Sequence, residues 1–112
     1  STAEDCLLSY DKINAIVCQN DDAALGVVEA LKSAKKLDGI QVLGIDGSDD
    51  ALESINNGEM TMSALQDAKA QAEAGADIFQ KLREGTKPAD IDDVNIPFKI
   101  VTKENVADYL DK

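Results

Sequence analysis

Apolar runs that stop at small polar clusters recur along this chain. Residues 13–18 stop at Gln19-Asn20-Asp21-Asp22, residues 40–45 at Asp46-Gly47-Ser48, and residues 60–65 at Gln66-Asp67. A helix-like pattern follows each stop. All three read as strands; the first, apolar on both faces apart from Asn14, fits a buried parallel strand, and the third is less apolar than the others. After the first, Ala24, Val27, Val28, Leu31 and Ala34 recur at helical spacing, so one face of that helix should be buried. Asn20 is a good N-cap, and Asp21 and Asp22 suit the positive end of the helix dipole. Ser48 caps the next helix, whose buried stripe is Ala51, Leu52 and Ile55, and Asn56-Asn57-Gly58 stops it. Asp67 caps a long alanine-rich helix over 68–84 with Ala72, Ala76, Phe79 and Leu82 on one face, and Gly85 ends it.

The two ends of the chain complete the pattern. Ser1-Thr2-Ala3-Glu4 fits a capping box, which predicts a short helix over 2–10. Residues 86–94 form an acidic loop containing Pro88, and 96–101 are extended, with Pro97 suggesting an edge or a connection. Thr102 is placed to cap a last helix that buries Val106, Tyr109 and Leu110. The order α-β-α-β-α-β-α-β-α predicts an α/β fold: a three-layer αβα arrangement around a mostly parallel sheet, Rossmann-like, in one segment spanning 1–112.

Charge narrows the functions available. The 112 residues carry 11 basic and 22 acidic side chains, a net charge of −11. Nucleic acid and anionic membrane surfaces would be repelled. Arg83 is the sole arginine, which leaves little material for a phosphate clamp. With no histidine, the commonest general base and metal ligand is missing, and no Ser/His or Cys/His pair can form. Cys6 and Cys18 lack metal-type spacing and read as buried thiols, while pairing between them would require an oxidising compartment. No run approaches the roughly 20 apolar residues that span a bilayer. The start STAEDCLL reads as a helix and shows no export signal.

Parallel strands joined by right-handed crossovers end at one rim of their sheet, where open α/β sheets bind ligands. Asn20, Asp46 and Gln66 each follow a strand, so all three are expected along that rim. A carboxylate accepts from two hydroxyls, and amides donate and accept together. Such a trio suits a neutral polyol. Plainer roles compete: Asn20 is equally a helix cap, Asp46 before Gly47 a turn residue, and Gln66 a merely exposed side chain. Asp21 and the free backbone amides could cap in place of Asn20 and release it for a ligand. Two other patterns fail. The loop at Asp46 has Ala51 and Asn57 where a calcium-binding EF-hand needs glycine and glutamate. Asp21-Asp22 suggests a receiver-like acidic pocket, but Gln66 follows the third strand and the lysine such a site needs is missing.

The segments AIVCQNDDAALGVVEALKSA, VLGIDGSDDALESINNGEM, ALQDAKAQAEAGADIFQKLREG and IPFKIVTKENVADYL, in that order, cover almost the whole chain. Together they resemble the C-terminal portion of periplasmic sugar-binding proteins of the ribose/galactose type, with the type I periplasmic-binding-protein fold. The resemblance implies that Asn20, Asp46 and Gln66 contact the sugar. Glutamine at the third place leans toward the ribose-like branch, and Ala68 stands where the family often has proline. It also implies non-catalytic monosaccharide binding between two lobes, without cofactor or metal, in the periplasm or at the extracellular face. The full-length partners would be the membrane subunits of an ABC importer. Residues 67–85 and 96–112 resemble hinge-crossing or first-lobe return elements. The chain matches less than half of such a receptor, so it is expected to carry one wall of the site and bind sugar weakly alone. It is also expected to associate, as a homodimer or with the lobe it lacks. Regulators of the lactose-repressor kind share the fold and are the alternative setting, with a receiver-like domain as the outside reading.

Overall fold

A computed structural model describes residues 2–110. The chain divides into two compact units, one comprising residues up to Leu65 together with those from Ile100 onward, the other Gln66–Lys99.

The first unit begins with α1 (Thr2–Ser9), followed by β1 (Ala15–Val17), α2 (Asp21–Ser33), β2 (Gln41–Asp46), α3 (Asp49–Asn56) and β3 (Met62–Leu65). It resumes with β4 (Lys99–Thr102), whose first residue closes the second unit, and α5 (Ala107–Leu110). The strands lie in the order β1-β2-β3-β4. β1 pairs parallel to β2 with Val17 opposite Leu43, and β2 pairs parallel to β3 with Asp46 opposite Leu65. α2 packs on β1 and β2, and α3 on β3. The α/β reading of the sequence therefore holds.

The core of this unit is Ala24, Val28 and Leu31 from α2, Val42 from β2, Ala51, Leu52 and Ile55 from α3, then Met60, Val101 and Val106. The helical stripes account for most of it. Gly58, at φ +77, ends the third helix as the sequence suggests, following Asn57 at the C-cap.

Four details depart from the sequence reading. β1 is not buried on both faces: Val17 is 73% exposed, because β1 is an edge strand and α2 covers one side only. An apolar cleft lined by Cys6, Ile16, Val17, Cys18 and Val27 lies between α1, β1 and α2. Ala34, expected in the stripe of α2, is exposed at the C-cap, one residue beyond the last helical turn. Thr102 does not cap α5 directly. Its carbonyl accepts from the Asn105 and Val106 amides, and the Asn105 side chain closes the turn on Thr102 N (2.8 Å) and Ile100 O (2.9 Å). The shorter final helix leaves Leu110 37% exposed while Val106 is buried. Neither cysteine is in a disulfide; Cys18 is buried and Cys6 half-buried, and burial pushes the Cys18 thiol pKa up.

The second unit is α4 (Ala68–Arg83) and a loop with one 3-10 turn, Pro88–Asp90. α4 contains no buried residue, and Phe79 and Leu82 on its apolar face are 66% and 42% exposed. A single helix and a loop supply no second layer for that face to pack against. Asp67 caps α4 as expected: its carboxylate accepts from Ala70 N at 3.0 Å and from Lys99 Nζ at 3.0 Å. The Ala70 amide and then the lysine hold its pKa below the usual carboxylate value. A carboxylate with a depressed folded pKa contributes stability fully above its unfolded value, about 3.9. That contribution is lost as pH falls through the lower folded value. Protection of the Ala70 amide from hydrogen exchange, relative to its intrinsic rate at each pH, should therefore fall on acidification below about pH 4. Asp67→Asn, which keeps a capping oxygen but cannot titrate, should flatten that dependence, and an unchanged slope in the variant would refute the assignment.

Candidate functional site

The site begins where β1 and β2 end. Beyond Val17, Cys18 N still donates to Leu43 O (2.8 Å), so the ladder runs up to the turn. Asn20 then adopts an extended backbone (φ −151, ψ 168) and its Oδ1 accepts from Ala23 N at 2.8 Å. Asn20 is thus the cap itself. The expectation that Asp21 caps in its place is corrected: Asp21 is 1% exposed and turned inward. Capping uses only the Asn20 oxygen, and its Nδ2 group makes no hydrogen bond among the described residues. An amide can cap with one end and offer donors with the other.

Across the sheet, β2 ends in an unusual backbone. Asp46 has φ 126 and Gly47 φ 78. Glycine adopts such angles readily, whereas a residue with a Cβ held there costs on the order of 1–3 kcal/mol. Gly47 is also required by space, since a Cβ at that position would lie 2.5 Å from Leu65 Cγ. Ser48 follows and caps α3, its Oγ accepting from Ala51 N at 3.3 Å. The Asp46 side chain is exposed at the strand end.

Asp21 ties the two turns together. Its Oδ2 accepts from Gly47 N (2.7 Å) and Ser48 N (2.8 Å), and its Oδ1 from Ser63 Oγ (2.7 Å). Ser63, fully buried on β3, also accepts from Gly47 N at 3.1 Å. The carboxylate reaches this position because β2 carries Gly44, where a Cβ would lie 2.3 Å from Asp21 Oδ1. The residue after Asn20 is therefore bonded to the two residues after Asp46, and the two junctions stand side by side. Gln66 is half-buried, receives a long 3.4 Å bond from Gln71 Nε2, and opens the second unit.

Asp21, Gly44 and Ser63 were not singled out from the sequence as a group. One signal was available, because an isolated glycine inside an apolar strand marks a close approach. The apolar cleft beside β1 includes Gln19 but neither Asn20 nor Asp46. No group of three or more histidine, cysteine or acidic side chains suited to a metal exists among the described residues. No helix of the described residues is long and apolar enough to cross a membrane.

A parallel α/β sheet with polar turns at its carboxyl ends is the architecture of open-sheet ligand binders. The family described as "Periplasmic binding protein domain" matches residues 1–87, and the chain belongs to that family. A Rhizobium meliloti protein that carries the description rhizopine-binding is 37% identical over 102 residues, covering 90% of this chain and 32% of that protein. The ribose import binding protein of Haemophilus influenzae is 31% identical over 87 residues, covering 78% of this chain and 29% of its own length. The crystal structure of an ABC transporter solute binding protein from Bacillus halodurans C-125, with bound myo-inositol, superposes with a TM-score of 0.88 at 36% identity. That match covers 98% of this chain and 37% of the other. The chain spans about a third of the length of these relatives.

Proposed function

We propose that this chain provides one wall of a sugar site in the solute receptor of an ABC importer, facing the periplasm or the extracellular medium. The observation that carries this reading is the pairing of the Asn20 and Asp46 turns, tied through Asp21, with Asp46 at a strained positive φ. Strain of that kind at a ligand-facing turn is a mark of a functional position. In this scheme Asp46 accepts hydrogen bonds from two neighbouring hydroxyls, and Asn20 Nδ2 donates to a third while its oxygen keeps capping α2. Gln66 takes its role from the family resemblance alone. The ligand is a neutral, ribose-like monosaccharide or a polyol of similar size, in keeping with a ribose-binding relative and one seen with myo-inositol. Binding is non-catalytic. It works by closure of two lobes, the sugar favouring the closed state because it contacts both walls only there.

One wall supplies only part of the hydrogen bonds, so this chain alone should bind weakly, with Kd above about 1 mM, equivalent to less than about 4 kcal/mol. Titrating it with ribose and with myo-inositol should give small, saturable amide shifts at the Asn20 and Asp46 turns. Asp46→Ala should abolish them. Retention of the full response in that variant would remove Asp46 from the site.

A further inference from the structure

We propose that Asp21 is a positioning residue for the binding site: its buried carboxylate clamps the Gly47 and Ser48 amides and so holds Asp46 in its positive-φ conformation. The proposal rests on the reading of Asp46 as the sugar-contacting carboxylate.

The clamp is specific in its chemistry. Asp21 lies in the first turn of α2, where a negative charge is favoured by the helix dipole. It is nonetheless 1% exposed, and a buried carboxylate is tolerated only when its oxygens are satisfied. The satisfaction comes from outside its own helix: two backbone amides of the turn after β2 and one hydroxyl of β3. Both amides belong to the residues immediately following Asp46. Gly47 N is shared between Asp21 Oδ2 at 2.7 Å and Ser63 Oγ at 3.1 Å. Its N–H vector is fixed, and with it the peptide plane that joins Gly47 to Asp46. That plane sets the direction in which Asp46 leaves the strand. Without the clamp the Ser48 amide loses its carboxylate and Gly47 N keeps Ser63 Oγ alone, so the turn is freer to let Asp46 relax to an ordinary extended φ.

A simple core-filling role would not select these features. Filling the space calls only for an apolar residue of similar volume. Here the glycine makes room for the carboxylate oxygen, at 2.3 Å from where its Cβ would be. An ionised acceptor also bonds backbone amides roughly twice as strongly as a neutral one, which suits a turn that must be held against its own strain. The turn of α2 that presents Asn20 is therefore coupled to the turn that presents Asp46, and the spacing of the two ligand-facing groups is fixed by one side chain that touches no ligand.

The test is made on the ligand-free chain by NMR. The three-bond HN–Hα coupling of Asp46 reports its φ directly, and exchange of the Gly47 and Ser48 amides reports the clamp. In the wild type the Asp46 coupling should be small and both amides protected. In Asp21→Ala the coupling should rise to the large value of an extended residue. Exchange at both amides should accelerate by about tenfold or more, while the buried core amide of Val101 stays protected. Asp21→Asn, which keeps one acceptor oxygen, should rescue most of the coupling and part of the protection. Where Asp21→Ala fails to fold, Ser63→Ala decides, with Gly47 exchanging faster and the Ser48 amide, which bonds only Asp21, remaining protected. An unchanged Asp46 coupling in folded Asp21→Ala overturns the proposal, as does Ser63→Ala loosening Gly47 and Ser48 equally. These readouts need no sugar. A chain with the clamp intact but no response to ribose or myo-inositol would refute the proposed function and leave the clamp standing.

Discussion

Gly44→Ala is expected to destabilise the first unit by about 3 kcal/mol, although it adds a single methyl group. A Cβ at this position would sit 2.3 Å from Asp21 Oδ1, 3.0 Å from Met60 Cε and 3.2 Å from Ala24 Cβ. Met60 meets it with the far end of a flexible side chain and can yield. Ala24 is carried by the backbone of α2 and yields less. The Asp21 carboxylate is held by Gly47, Ser48 and Ser63 and cannot move without releasing at least one of them. Displacement leaves a buried charge short of partners, which is the expensive outcome. Urea unfolding followed by circular dichroism measures the cost. A loss below about 1 kcal/mol would mean the carboxylate has room to spare, contrary to the packing described.

Leu31→Ala should cost about 3 kcal/mol, within the range of roughly 2–5 kcal/mol for a fully buried leucine. Leu31 is 0% exposed and is the largest of the fully buried side chains, on the face of α2 that packs over β1 and β2. Truncation loses the transfer energy of the removed carbons and leaves a cavity lined by neighbours that the sheet holds in place. Leu8→Ala is the control: Leu8 is 86% exposed on α1, and its loss should change stability by less than about 0.5 kcal/mol. Against a total stability of about 5–15 kcal/mol for a small domain, the first substitution is severe and the second invisible. Equal midpoints in urea for the two variants would show that the core is not centred on α2.

Much of the fold was legible in the sequence because its signals are local. Asn20, Ser48 and Asp67 all cap the helices that the pattern assigns to them. The stripes Ala24-Val28-Leu31 and Ala51-Leu52-Ile55 form the core, since helical spacing alone puts them on one face. β1 was misjudged because an apolar run does not say whether its strand is central or at an edge, and Val17 looks the same in both settings. The cover of α4 is not legible from spacing either: Phe79 and Leu82 share a face, and only the structure shows them exposed.

The candidate site was partly legible. Asn20 and Asp46 follow strands, and their turns come together as the parallel order requires. What ties them was hidden, because Asp21 looks like an ordinary first-turn acid and its partners lie 26, 27 and 42 residues away in the chain. Nor does spacing reveal that Asp46 takes φ 126, because the sequence reads Asp-Gly as a turn with the glycine alone in the unusual conformation.

The most direct measurement is a residue-resolved NMR titration of this chain with ribose and, separately, myo-inositol. Weak saturable shifts centred on the Asn20 and Asp46 turns, with no tight complex by calorimetry, are the expected result for one wall of a sugar site. Shifts centred instead on the apolar cleft beside β1, or a one-to-one complex with Kd near 1 μM, about 8 kcal/mol, would contradict it.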